Sequence, residues 1–87
     1  MNDEDLVVRL REGDTQAFDV LYNRHSARLL GYLSRMMRDA EHAQDLLQDV
    51  FLRLIERRDT IDARRPFTRW LYAVAHNLCC SALRHTR

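Results

Sequence analysis

Asp45-Leu46-Leu47-Gln48-Asp49-Val50-Phe51-Leu52-Arg53-Leu54 places apolar residues at 46, 47, 50, 51 and 54. That spacing has the period of a helix, not the alternation of a strand. Extended backwards to Ala43, it predicts a helix that starts after Asp39 and runs to about Arg58. Upstream, Phe18, Leu21, Tyr22, Leu29, Tyr32, Leu33 and Met36 keep the same period. They predict a helix from about Thr15 to Arg38, N-capped by Asp14, with Gly31 as a weak point in its interior. A shorter first helix is expected from about Glu4 to Glu12. Asp3 is its candidate cap, Gly13 its stop and Leu6, Val7 and Leu10 its apolar side. Downstream, Asp59–Arg65 reads as a polar link. Pro66 suits the first turn of a fourth helix, whose apolar face is Phe67, Trp70, Leu71, Val74, Leu78 and Ala82, ending near His85. No segment has a period of two, so the expected class is all-α, a compact bundle of about four helices.

The chain has 87 residues, 46% apolar and 31% charged. That length suits one domain and a modest core. No apolar run reaches the roughly 18 residues a membrane span needs, and the acidic start Met1–Asp5 is not a signal peptide. Two glycines and one proline speak against disorder, a Gly-rich phosphate loop and a turn-dense β-sandwich. The net charge of +1 conceals an uneven distribution. Residues 1–45 hold nine acids and six arginines, residues 46–87 four acids and eight arginines. From Ala63 to Arg87 there are five arginines, two histidines and no acid. Such a stretch is the electrostatic footprint of phosphate contact, although a basic helix end also suits the helix dipole.

Placing residues about 100° apart separates core from surface. On the third helix the side opposite Leu47 carries Asp45, Gln48, Asp49, Leu52, Arg53 and Glu56, a mixed face with one leucine at its centre that suits docking of a protein. On the fourth, the side away from the core carries Arg69, Tyr72, Ala73, His76, Cys80, Leu83 and Arg87, flanked by Asn77 and Arg84. Arginine neutralises phosphates, Asn and His bond base edges, and Tyr stacks on an unpaired base. The link ending in Arg64 and Arg65 lies beside that face, where it can wall a base pocket. Trp70 falls toward the core and reads as packing.

Catalytic chemistry finds no support. There is no nucleophile–base pair and no set of paired carboxylates in an apolar setting. His25 reads as a semi-buried core histidine. Cys79 and Cys80 read as reduced thiols in a cytoplasmic protein. Only Cys80 shares a face with His76, which is too few ligands for tetrahedral zinc. No metal and no cofactor are expected.

Three separated blocks together resemble a known family: Gly13-Asp14 with Ala17-Phe18 and Leu21-Tyr22; Asp45 to Leu54; and Phe67-Thr68-Arg69-Trp70-Leu71-Tyr72-Ala73-Val74-Ala75-His76-Asn77. Over about Asp5 to Arg84 the chain is similar to region 2 of sigma factors of the extracytoplasmic-function type. The resemblance implies a transcription-initiation factor that docks on the β′ clamp helices of core RNA polymerase and recognises and helps melt the promoter −10 element. It implies Asp45, Gln48, Asp49, Leu52 and Arg53 as polymerase-docking residues. It puts Asp62, Ala63, Arg64 and Arg65 near a pocket for a base flipped from the non-template strand, with Phe67 as floor or core. Asn77 would touch the strand where melting starts, Arg69, Arg84 and Arg87 would hold the backbone, and Tyr72 and His76 complete the DNA face. An anti-sigma factor is an expected partner. The family's second helical domain, region 4, is absent from residues 1–87, which are expected to form a single region 2 domain that does not read a whole promoter alone. A second reading, from the exposed third-helix face alone, is a protein-interaction module without nucleic-acid binding.

Overall fold

Helices α1 (Asp3–Arg11), α2 (Thr15–Met37), α3 (Ala40–Glu56) and α4 (Phe67–His85) make up most of residues 1–85, the part that the computed structural model describes. A short 3-10 turn, Arg58–Thr60, follows α3, and no strand occurs among the described residues. The fold is all-α, as expected.

Local chemistry sets each boundary. The α1 cap is Asn2 rather than Asp3: Asn2 Oδ1 accepts the Asp5 N–H at 2.8 Å. Asn and Asp cap equally well, and Asp3 finds other partners. Arg24 Nη1 donates to Asp3 Oδ1 at 2.8 Å, and His25 Nε2 donates to Asp3 Oδ2 at 2.9 Å. The first turn of α1 is thereby tied to the middle of α2. Gly13, at φ +93°, ends α1 in a conformation that side chains other than glycine's resist. Its N–H and that of Asp14 satisfy the Leu10 and Arg9 carbonyls, each at 3.0 Å. Asp14 then caps α2 through the Gln16 N–H, and Asp39 caps α3 through those of Glu41 and His42. Between α2 and α3 the chain reverses within two residues, with Arg38 left-handed at φ 56°. Such a short connection makes the two helices antiparallel neighbours. Helix α2 runs through Gly31 without a break.

Helix α2, about 34 Å long at 1.5 Å per residue, packs against α1, α3 and α4. The core contains Leu21, Leu29 and Leu33 of α2 with Ala43, Leu46, Leu47, Val50, Phe51 and Leu54 of α3. The α3 stripe is the one its period predicts. On α4 the deepest line is Phe67, Leu71, Ala75 and Cys79, while Trp70, Val74, Leu78 and Ala82 pack half-buried beside it. The apolar arc of α4 is therefore rotated toward Ala75 and Cys79. The helix rests against α1, α2 and α3 together, so the centre of the arc is set by three neighbours rather than by its largest side chains. One core residue lies in the link that reads as polar: Ile61 is only 3% exposed.

Candidate nucleic-acid interface

The link between α3 and α4 is held at both ends. Ile61 anchors one end in the core. Pro66, with its fixed φ, precedes α4 at the other, and its carbonyl accepts the Arg69 N–H at 3.1 Å. Between them Asp62 organises a tight turn. Its Oδ1 accepts the backbone N–H of Arg64 at 3.0 Å, and its carbonyl accepts that of Arg65 at 3.1 Å. The same carboxylate bonds Arg64 Nε at 3.1 Å and pairs with Arg65 Nε at 3.6 Å. The Arg64 backbone N–H, and then its guanidinium, hold the Asp62 carboxyl below the usual carboxylate range; Asp62 in turn makes Arg64 hold its proton more firmly.

This turn and the start of α4 enclose a hollow of about 360 Å³ lined by Thr60, Ile61, Asp62, Arg65, Pro66, Arg69, Trp70 and Ala73. Its size falls in the range of small-ligand sites. The walls are apolar, from Ile61, Pro66, Trp70 and Ala73, with Arg65 and Arg69 also on the lining. Phe67 does not line it. At 2% exposed it belongs to the core, where its ring stacks near Trp70 (centroids 6.1 Å apart, 25° between planes) and tilts against His25 at 5.4 Å. It braces the tryptophan from behind. Trp70, which the sequence assigns to packing, both packs and forms a wall. Ala63 is half-buried, and neither it nor Arg64 lines the hollow.

Of the remaining expected DNA residues, those within the described part of the chain do not join the hollow. Tyr72 is half-buried, its ring edge-on to Tyr32 at 5.4 Å. His76 Nδ1 lies 3.2 Å from the Tyr32 hydroxyl and its Nε2 3.5 Å from Cys80 Sγ. These groups form a ridge against α2, and burial there pushes the Tyr32 hydroxyl pKa up. Asn77 lies toward α3, in a second depression of about 160 Å³ with Arg53, Arg57, Val74, Leu78 and Ser81. Arg84 is exposed and donates to Ser81 Oγ at 3.4 Å. Arg87 lies outside the described residues. Arg57, Trp70 and Ile61 were absent from the expected set. An apolar residue at 61 in a polar link was the available signal for the last.

On α3, Asp45, Gln48, Asp49 and Leu52 are all exposed, and Leu52 is 54% exposed. Arg53 is half-buried and turned toward α4. The expected docking group therefore keeps four members on one outer face and loses the fifth to the flank. Both cysteines are free thiols, Cys79 buried and Cys80 half-buried. Among the described residues no three His, Cys, Asp or Glu side chains converge to hold a metal ion, and no helix is long and apolar enough to cross a membrane.

Comparison with known proteins places this geometry. The sequence pattern of the family described as "Sigma-70 region 2" matches residues 21–87. The chain is similar to the RNA polymerase sigma factor CarQ of Myxococcus xanthus, 42% identical over 91% of this chain and 45% of CarQ. It is also similar to the RNA polymerase sigma-H factor of Pseudomonas aeruginosa, 35% identical over 86% of this chain and 39% of that protein. It thus spans less than half the length of either relative. Among solved structures it is similar to an engineered region 2 of sigmaE, determined by NMR in complex with GTAAAA. The TM-score is 0.88 and the identity 29%, over 98% of this chain and 88% of that one. The chain belongs to the sigma-70 region 2 family, within sigma factors of the extracytoplasmic-function type.

Proposed function

We propose that this chain recognises and helps open the promoter −10 element while docked on the β′ clamp helices of RNA polymerase in the cytoplasm. The observation that carries the reading is the hollow at the α3–α4 link, with apolar walls from Ile61, Pro66, Trp70 and Ala73 and with Arg65, Arg69, Thr60 and the Arg-paired Asp62 also on its lining. A flipped nucleotide has the matching form, a flat apolar base joined to a phosphate. Stacking one base on an aromatic wall is worth about 1–3 kcal/mol, which offsets the few kcal/mol spent on unstacking it from the duplex. Arg64, Arg65, Arg69 and Arg84 supply phosphate contacts that weaken as salt rises. The likeness to a sigmaE region 2 bound to GTAAAA supports the same reading.

The outer face of α3 is the clamp-docking surface in this proposal. Leu52 stands exposed among Asp45, Gln48 and Asp49, an apolar point within a polar surround of the kind protein interfaces use. An anti-sigma factor that covers this face would compete with polymerase. A module that binds protein alone would use α3 and leave the hollow without an occupant.

Two sets of variants separate the surfaces. Arg64→Ala and Asn77→Ala should each weaken binding of a single-stranded −10 oligonucleotide, measured by fluorescence anisotropy, and leave binding to a β′ clamp fragment unchanged. Gln48→Ala combined with Leu52→Ala should do the reverse. Absence of both oligonucleotide and clamp binding at low salt would refute the proposal.

A further inference from the structure

The depression between α3 and α4 has a composition that the base hollow does not explain. Its lining is Arg53, Arg57, Val74, Asn77, Leu78 and Ser81, with no acidic residue. Among the described residues, neither guanidinium of Arg53 and Arg57 has an ion-pair or hydrogen-bond partner. Arg24 is engaged by Asp3, and Arg64 and Arg65 by Asp62; what sets Arg53 and Arg57 apart from the other unpaired arginines is that they share one concavity with two neutral donors. Two like charges at one small concavity repel each other weakly in water, and an anion between them would turn that repulsion into attraction. The polar donors beside them are the Asn77 amide and the Ser81 hydroxyl, and Arg84 reaches the latter from outside. Guanidinium forks with an amide and a hydroxyl around a floor of Val74 and Leu78 match a tetrahedral oxyanion.

We infer that this depression binds one backbone phosphate of the nucleic acid, with Arg53 and Arg57 as its charged walls and Asn77 and Ser81 as neutral donors. The inference rests on the −10 reading proposed above and extends it. It moves Arg53 from the polymerase-docking group to the nucleic-acid group, and it adds Arg57. Asn77 is turned about 100° round α4 from His76, toward α3. A strand held in this depression and in the base hollow is therefore gripped at two places on the side of α4 that faces the link and α3, not along the Tyr72–His76 ridge.

Two measurements on this chain test it. The first is independent of promoter recognition. The chain is titrated with inorganic phosphate against chloride at equal ionic strength, and the Asn77 and Ser81 signals are followed by NMR. They should shift in the wild type and stay still in Arg53→Gln/Arg57→Gln. Equal shifts in both proteins, or shifts confined to Arg64 and Arg65, would overturn the inference. The second measures the slope of log affinity against log salt for a single-stranded −10 oligonucleotide. Each lost phosphate contact reduces that slope by about 0.7, so the double variant, which gives up one phosphate, should lose about 0.7. Arg57→Lys should keep its share, and the control Arg9→Gln/Arg28→Gln should change the slope little. An unchanged slope in Arg53→Gln/Arg57→Gln, or a loss of clamp binding in its place, would overturn it. Failure of the −10 reading looks different: the oligonucleotide then ignores variants of the base hollow while the phosphate titration still separates the two proteins.

Discussion

Filling the base hollow without touching a charge gives the cleanest examination of its role. Ala73 is exposed on α4 and lines the hollow with its methyl group. Ala73→Leu adds three carbons that project into a space of about 360 Å³ beside Trp70. Leucine is nearly as good a helix former as alanine, and a surface substitution of this kind moves stability by no more than about 0.5 kcal/mol. The melting curve followed by circular dichroism should therefore be nearly unchanged. Binding should change much more. If the hollow holds one stacked base, obstructing it removes about 1–3 kcal/mol, which is about 5- to 150-fold in affinity. Anisotropy titrations with a labelled single-stranded −10 oligonucleotide measure that loss. A second oligonucleotide, with an abasic site at the captured position, closes the cycle. It should bind the wild type as weakly as Ala73→Leu binds the intact strand, and Ala73→Leu should lose little more from the missing base. Equal abasic penalties in both proteins would show that the base sits elsewhere.

Two other outcomes follow from side chains that adjoin in sequence but differ in setting. Cys79→Ser puts a hydroxyl without a bonding partner into a fully buried site, at a cost of about 1–3 kcal/mol; with each kcal/mol worth roughly 4–8 °C in a domain of this size, thermal denaturation should separate it clearly from Cys80→Ser. Thiol reagents should label Cys80 first, because burial raises the pKa of Cys79. The link turn should respond to acid with a definite sign. The folded-state pKa of Asp62 lies below its unfolded value, so its contribution is complete above the ordinary carboxylate value, near 3.9, and fades as pH falls through the lowered one. NMR of the Arg64 backbone N–H should show the turn intact at pH 5, and its loss already at that pH would contradict the bonding described.

The α3 stripe was readable in full because α3 has a narrow apolar arc and a cap at Asp39 that fixes its start. Helix α4 was readable as a helix but not in its rotation. Its apolar residues cover so wide an arc that Trp70, Val74 and Leu78 are as plausible a centre as Leu71, Ala75 and Cys79. Only three packing neighbours decide between them. Asp3 shows a similar limit. Its pairing with Arg24 and His25 spans more than twenty residues, and local capping chemistry carries no trace of it. For the candidate site, the resemblance and the charge pattern pointed to segments 59–65 and 67–77, and the hollow lies where the two meet. The division of their side chains among a hollow, a ridge and a second depression depends on the turn at Asp62 and on the approach of α3, and neither has a signature in the local sequence.

That turn at Asp62 alters what association with a polyanion entails. Arg64 and Arg65 already have an anion at their Nε donors, so a phosphate that takes those same donors must displace a carboxylate from the same protein. The event is an exchange, and its driving force is the small difference between two similar partners. A random stretch of nucleic acid gains little from such a swap. A strand that also seats a base beside Trp70 tips the balance, because that contact has no internal competitor. On the proposed reading, Asp62 is a built-in competitor ligand that lowers affinity for a polyanion and leaves discrimination to the hollow it helps to shape.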